Sequence, residues 1–376
     1  DWLYRLFSRI AEALVRDLNG SGMATPQHIS NTAWAFAVLG LKHETFLEEV
    51  KRFVMKNARS SAQGRTPSNT FSGQQLANTL WALASLNAPP DGTVDMTLII
   101  LQSLFGKKLD NVPADEILAF FNQQDLRNMI WAFAVFDDLP CPLLEFLYRG
   151  LLRNAAVSKR ESFQDDRTAH STIRSVLYAH ILTNLQGNCN ELLLPDAFLD
   201  ELKEIAPGNR KDDRFIDSSE LLSLRTSKLQ LDVSKTFERL GFDHVVEHKI
   251  SLRDLANNDG IRVPPIPIEI LSIDIANVEE MIAVEVDGPT HFVAHIDLPR
   301  DRKREGGVSA GEMNYGVSWN GDFQEINGST ALNQRLLTAL GWRVIRVPFW
   351  EWDVQKNDPV AQEKYCQELL KGGHEV

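Results

Sequence analysis

Three stretches of this 376-residue chain repeat one another, and that repetition constrains the fold more than any other feature. They run Gln27 to Leu39, Gln74 to Leu86 and Gln124 to Phe136. Each places a Gln, then an Asn four residues later, then Trp-Ala three residues beyond: Gln27/Asn31/Trp34-Ala35, Gln74/Asn78/Trp81-Ala82 and Gln124/Asn128/Trp131-Ala132. A weaker fourth copy puts Ser171, Ser175 and Tyr178-Ala179 in the same places. A period of about 50 residues marks stacked supersecondary units, each unable to bury its apolar face without its neighbours.

Helix-start chemistry precedes each copy. Thr25-Pro26 puts Pro at the first helical position, Ser72-x-x-Gln75 is a capping box, and Asn122-x-x-Asp125 and Thr168-x-x-Ser171 are weaker forms of it. A second amphipathic stretch follows each helix: Phe46–Val54, Met96–Phe105, Leu143–Leu152 and Ala197–Ile205. The opening stretch, Trp2–Leu18, reads as the second helix of a preceding unit, so the sequence from Asp1 is expected to be the ordered part of a longer or processed chain. Residues 1–206 are therefore predicted to form an α-solenoid of helical hairpins.

The run Gln75-Leu76-Ala77-Asn78-Thr79-Leu80-Trp81-Ala82-Leu83-Ala84 closely resembles the octotricopeptide-type repeats of organellar RNA-binding proteins. Those repeats are named for thirty-eight residues, whereas these copies are nearer fifty, and the loops Ser60–Ser72 and Lys107–Ala119 absorb the difference. A modular base-reading code is therefore not assumed. Trp34, Trp81 and Trp131 sit among apolar residues and are expected in the repeat-packing core, with Asn31, Asn78 and Asn128 bonded between helices. The variable polar positions beside them, among them His28, Gln75 and Arg127, are the candidate RNA contacts.

Charge bears on the partner. The net charge of −12 is unfavourable for a nucleic-acid binder, yet the first 200 residues carry only −3 of it, leaving room for a local face that accepts phosphate. No apolar run approaches the roughly 20 residues of a membrane span. The three cysteines, Cys141, Cys189 and Cys366, are far apart and support neither a disulfide framework nor a structural zinc site.

The polar, turn-rich residues 207–228 read as a linker. Beyond it, residues 229–376 read as a small α/β domain: a helix over Leu229–Leu240 closed by Gly241, and strands around His244–Ile250, Glu269–Ala276 and Met281–Val286. A long loop, a helix near 331–340, a strand over Trp342–Val347 and a helix near 358–371 complete it. Period-two alternation puts Glu285 and Asp287 on one strand face, with Asp274 on the preceding strand.

Several segments resemble, in order, the RAP domain: Ser272–Ala276, Ile282–Phe292, Asn327-Gly328-Ser329-Thr330, Arg335-Leu336-Leu337, and Leu340 through Trp352. RAP domains occur in organellar RNA-metabolism proteins and are related to the PD-(D/E)xK nuclease fold. The fold implied is an α-solenoid followed by a small α/β domain of restriction-endonuclease-like type. In such nucleases two carboxylates hold Mg²⁺ and a Lys helps activate water. Asp274 and Glu285 match the carboxylate positions, but Asp287 stands where the Lys belongs, and Asn333-Gln334 stands where RAP domains often carry another. Lys249 and Arg335 are the residues that could substitute, and hydrogen bonding to turn amides after Gly288, or pairing with Arg335 or Arg343, is the structural alternative for the acids. His291-x-x-x-His295 has zinc-like spacing only if helical, which a Gly-Pro turn before it opposes.

Further RNA-contact candidates are the cluster Arg300, Arg302, Lys303 and Arg304, together with Arg335, Arg343, Trp350 and Trp352. The leading expectation is a non-catalytic organellar RNA-binding protein without cofactor, membrane or small-molecule substrate. Mitochondrion is the first location and plastid the alternative, and organellar rRNA with ribosomal protein neighbours is the expected partner. The alternatives are a Mg²⁺-dependent endoribonuclease using Asp274, Glu285 and Asp287, and a helical-repeat protein scaffold.

Overall fold

A computed structural model describes residues 2–20, 24–62, 71–88, 92–157, 166–185, 194, 198–200, 202, 227–256, 261–296 and 325–372. The chain is mostly helical, with a mixed α/β region toward its C-terminal end. Among the described residues no helix is long and apolar enough to cross a membrane. Internal packing divides the chain into two units, 1–193 with 292–332, and 194–291 with 333–376. This differs from the predicted division at 207–228, a linker that lies almost wholly outside the described residues: residues 292–296 and 325–332, expected in the α/β domain, group with the helical unit.

The first unit contains α1 (Trp2–Asn19), α2 (Pro26–Val38), β1 (Leu41–Lys42), α3 (Glu44–Ala62), α4 (Gly73–Ser85), α5 (Thr93–Phe105), α6 (Ala114–Phe120), α7 (Gln123–Phe136), α8 (Cys141–Val157) and α9 (Asp166–Leu185). The three repeated stretches are α2, α4 and α7. Each starts with a capping box, from Thr25, Ser72 and Asn122, in which the side chain accepts from the third helical amide and that residue's side chain reaches back. Successive repeat helices α2, α4, α7 and α9 pack side by side, and α1, α3 and α5 form a second row. The core between the rows is built from Ile29, Ala33 and Phe36 of α2, Phe46, Leu47 and Val50 of α3, and Leu83 and Leu86 of α4. Phe36 meets Phe7 and Phe46 at ring-centroid distances of 5.1 and 5.2 Å.

The tryptophans depart from expectation. Trp34 is 47% exposed, and Trp81 and Trp131 are half-buried with their ring centroids 6.3 Å apart. The core takes instead the residue two further on, Phe36, Leu83 or Phe133, each essentially inaccessible. Helical geometry explains the difference, because a side chain two positions away points roughly 200° around the axis. Cys141 is disulfide-bonded, which the sequence spacing gave no reason to expect, and Cys366 is a free, buried thiol.

The described residues 292–296 and 325–332 add β5 (Phe292–His295), β6 (Glu325–Ile326) and the start of α12 (Gly328–Ala339) to the first unit. β5 runs parallel to β1, pairing Leu41 with Ala294, and antiparallel to β6. Lys42, nearly buried, sits between Glu325 (2.5 Å) and Glu44 (3.4 Å), with His295 Nε2 3.6 Å from Glu325. Burial pushes the Glu325 carboxyl up, but hydrogen bonds from His295 and Lys42 outweigh it and hold the carboxyl below the ordinary range. Glu44, His295 and Glu325 are close enough together to ligate a cation, and the Lys42 ammonium supplies positive charge there.

The second unit contains α10 (Lys228–Arg239), β2 (Val245–Ser251), α11 (Leu252–Leu255), β3 (Glu269–Asn277), β4 (Ile282–Asp287), most of α12 (Gly328–Ala339), β7 (Arg343–Pro348), α13 (Phe349–Val354) and α14 (Pro359–Leu370). The sheet order is β2-β3-β4-β7, antiparallel except for the parallel β4/β7 pair. One sheet face, with Ile275, Val284, Val286, Ile345 and Val347, packs on Val233 and Phe237 of α10 and on Tyr365, Cys366 and Leu369 of α14. Side chains alternate in a strand, so the intervening residues 274, 285, 287 and 346 point to the opposite face.

Candidate functional site

Register turns that second face into a row of charges. Ile275 pairs with Val284, which sets Asp274 opposite Glu285 across β3 and β4, and Glu285 pairs with Arg346 of β7. On the other side, the pairs flanking Glu247 place it level with Asp274. The order across the sheet is thus Glu247, Asp274, Glu285, Arg346, with Asp287 two residues along β4. Asp274, Glu285 and Asp287 thus lie together on one face of the two central strands, β3 and β4, and not at a sheet edge.

Arg346 pairs with Asp287, whose other neighbour is His291 with Nδ1 3.0 Å away. Asp274 Oδ2 accepts the Val286 amide at 2.8 Å, and the Asn333 amide lies 3.5 Å from Glu285 Oε2. At the β2 edge, Gln230 Nε2 donates to Glu247 Oε1 (2.9 Å) and to the Asp274 carbonyl (3.0 Å). Lys249 Nζ donates to Ser272 Oγ at 3.2 Å and lies 3.8 Å from Glu247. Glu247 has a φ of +56°, a left-handed conformation unusual for a non-glycine residue within a strand.

The electrostatics follow from burial. Burial first, and then the like charges of Glu247 and Asp287, push the Asp274 carboxyl up to about 6 against the help of the Val286 amide. Glu285 rises well above the ordinary glutamate range, again by burial first and by Asp274 second, with Arg346 opposing. Glu285 Oε1, Asp287 Oδ2, and Nε and Nη1 of Arg346 are buried without a hydrogen-bond partner.

Asp274 and Glu285 are the residues that could hold a metal, but the set does not fit a hydrolytic Mg²⁺ centre. Mg²⁺ takes six near-octahedral oxygens and keeps several waters. Glu285 is buried, one Asp274 oxygen is committed to a backbone amide, and the cation beside Glu285 is a guanidinium that cannot lose a proton. Lys249 stands at the margin of the row, beside Glu247 rather than Glu285.

The remaining candidates separate clearly. His28 and Gln75 are the third helical residues of the α2 and α4 capping boxes, so both side chains are engaged with Thr25 and Ser72. Arg127 is half-buried on α7, and burial lowers its pKa. Arg335 is half-buried on α12; Arg343 is exposed and donates to the Leu370 carbonyl at 2.8 Å. The cation paired with Asp287 and set beside Glu285 is Arg346, which sequence reasoning missed. Trp350 is half-buried, whereas Trp352 is buried against Tyr365 in the sheet core and cannot stack on a base as expected. Arg300, Arg302, Lys303 and Arg304 lie outside the described residues. His291 and His295 do not share a helix: one faces Asp287, the other Glu44 and Glu325.

Comparison with known proteins agrees with the RAP-domain resemblance read from the sequence. The chain is similar to a RAP domain-containing protein, chloroplastic, of Oryza sativa subsp. japonica, at 20% identity over 391 aligned positions that cover 92% of this chain and 52% of the relative. It thus spans about half the length of that relative. Residues 284–369 match the RAP domain family, from the middle of β4 to the last turn of α14, and include Glu285, Asp287 and Arg346. The chain carries a RAP domain over residues 284–369.

Proposed function

We propose that this chain is an organellar RNA-binding protein that acts without catalysis. The RAP domain over 284–369 carries the reading, because RAP domains are associated with RNA. The helical unit is read as an octotricopeptide-like solenoid that grips an RNA segment, with the RAP domain, of nuclease-derived fold, adding contacts. Binding rather than cutting is supported by the guanidinium beside Glu285 and by carboxyl groups that burial biases toward the neutral form. The chloroplastic relative favours a plastid over the mitochondrion first expected from the sequence. Organellar rRNA, with ribosomal proteins sharing the interface, is the partner that suits an acidic chain, since neighbours can then carry part of the affinity.

Crosslinking in cells, followed by sequencing of the attached RNA, tests the proposal. Enrichment of organellar rRNA supports the ribosomal version and enrichment of one transcript a processing or translation factor; reproducible absence of RNA rejects RNA binding in favour of a protein scaffold. A second reading, endoribonuclease, is favoured by the direct Asp274–Glu285 juxtaposition and the strained Glu247 beside it. RNA cleavage in Mg²⁺ or Mn²⁺ that disappears in Asp274→Ala/Glu285→Ala would establish it.

A further inference from the structure

We infer that the Gln–Asn–Trp stripe repeated on α2, α4 and α7 is a track for single-stranded RNA that holds bases without selecting among them. This rests on the RNA-binding reading above and deepens it by naming the surface and the kind of strand. Three observations carry it.

The first is exposure. Positions i, i+4 and i+7 share one helix face, and here that face points outward: Gln27, Gln74, Gln124 and Asn31 are exposed, and Asn78 and Asn128 are half-buried. Trp34 is nearly half exposed, and the core does not require it, because Phe36 occupies the interior position of that turn. The same geometry recurs on adjacent helices, since α2 packs on α4 and α4 on α7.

The second is spacing. The Trp81 and Trp131 rings are 6.3 Å apart and tilted by 37°. One base stacked between two rings needs about 6.8 Å, twice the base-stacking rise of about 3.4 Å. The pair is closer than that, so it is a continuous aromatic surface spanning α4 and α7 on which a base stacks from outside, and not a slot. Trp34, 47% exposed, offers a further stacking surface.

The third is charge. In a chain of net −12, α2 and α4 contain no charged residue at all. The one acid on α7, Asp125, is buried and accepts from the amide of the N-cap Asn122, while Arg127 of the same helix and the exposed Arg174 of α9 provide cations. The acids of this unit lie on other elements, such as Glu44, Glu48 and Glu49 of α3 and Asp115 and Glu116 of α6, and at Asp137 and Asp138 beyond the α7 C-terminus. A polyanion meets the least repulsion on the repeat-helix face. The amides on it are uncharged donors and acceptors that suit any base edge, and the same residue in every copy cannot discriminate.

The test is fluorescence anisotropy of the full chain with labelled oligouridine and oligoadenine of about 12 nucleotides, and with a duplex of equal length. Trp34→Ala and the triple Gln27→Ala/Gln74→Ala/Gln124→Ala alter exposed positions, and their folding is checked by circular dichroism and melting. Expected are affinities for the two oligomers within about 3-fold, weaker duplex binding, and a loss on the order of 10-fold in each variant. Single-strand binding that is unchanged in both folded variants overturns the track while leaving the RNA-binding reading intact. Equal affinity for duplex, or a strong preference for one base, also overturns it. A wild-type chain that binds none of these RNAs and yields no crosslinked RNA in cells refutes both.

Discussion

Replacing Arg346 with Met tests the charge row most directly. The guanidinium is 5% exposed and its partner Asp287 is fully buried. Removing one member of a buried pair strands the other, which costs about 3–5 kcal/mol, whereas replacing both by apolar residues of similar size is often neutral or stabilising by about 1–4 kcal/mol. The pair is imperfect, since Asp287 Oδ2 and two Arg346 nitrogens have no hydrogen-bond partner, so its desolvation is poorly compensated. Arg346→Met should therefore cost about 3 kcal/mol or more. Arg346→Met/Asp287→Leu should recover most of that loss, because His291 is 40% exposed and can turn to water when Asp287 is gone. Global unfolding of a chain with two units is not a two-state measurement. Native-state hydrogen exchange of β4 and β7 amides reads the opening of this sheet locally. A single variant that loses under about 1 kcal/mol, or a double variant as unstable as the single, would refute the account of an uncompensated buried charge.

Three other perturbations address separate parts of the molecule. Because the Asp274 carboxyl is raised to about 6, its protonation contributes stability that is fully present below the unfolded value near 4 and lost as pH rises through about 6. Asp274→Asn can keep the bond from the Val286 amide, and should reduce the fall in sheet stability between pH 4.5 and 7 by about 2 kcal/mol; parallel pH profiles would show the idea wrong. Ser72→Ala removes the side-chain acceptor for the Gln75 amide and should cost about 0.5–2 kcal/mol in the thermal stability of the helical unit, with no change expected at the sheet amides. At Gly328 a new Cβ would lie 1.9 Å from the Ala84 carbonyl oxygen, so Gly328→Ala should destabilise the helical unit by more than the roughly 1–3 kcal/mol of ordinary overpacking, and an unchanged melting temperature would contradict that close approach.

Local patterns in the sequence located elements well and side-chain partners poorly. Capping residues and 3.6-residue periodicity placed α2, α4 and α7 almost to the residue, and Gly241 and Gly341, both at positive φ, closed the helices they were expected to close. Alternation placed Glu285 and Asp287 on one face. The identity of Arg346 was not legible, because it depends on the register of β7 against β4, which no local signal fixes; Arg335 and Arg343 were equally plausible until Ile345 and Val347 were seen to face the core. His28 and Gln75 show a readable signal that was underused. Both stand three residues after a Thr or Ser cap, as Asp125 does after Asn122, so their variability reflects what completes a capping box. Trp34 failed for a different reason: a large apolar residue in an apolar stretch suggests burial, but only its phase relative to Phe36 decides which of the two faces inward. The β1–β5 pairing joins residues some 250 positions apart, and a two-residue strand leaves no periodicity to detect.

The charge row also sets the terms on which the nuclease alternative can be judged. Glu247, Asp274, Glu285 and Asp287 bring four carboxyl groups to one region, against Arg346 within the row and Lys249 and His291 at its margins. Burial first, and the like charges second, bias Asp274 and Glu285 toward holding their protons. A divalent cation would have to displace those protons, so its affinity must climb with pH. Ligand binding to the folded state raises stability by RT ln(1 + [L]/Kd), about 2.7 kcal/mol at a hundredfold excess over Kd. If the row is a binding-fold relic, melting curves in about 10 mM Mg²⁺ and in a monovalent salt of matched ionic strength should coincide at pH 6 and at pH 8. A Mg²⁺-specific rise at pH 8 that shrinks at pH 6 and is absent in Asp274→Ala/Glu285→Ala would show that the acids still coordinate metal, and would return hydrolysis to first place.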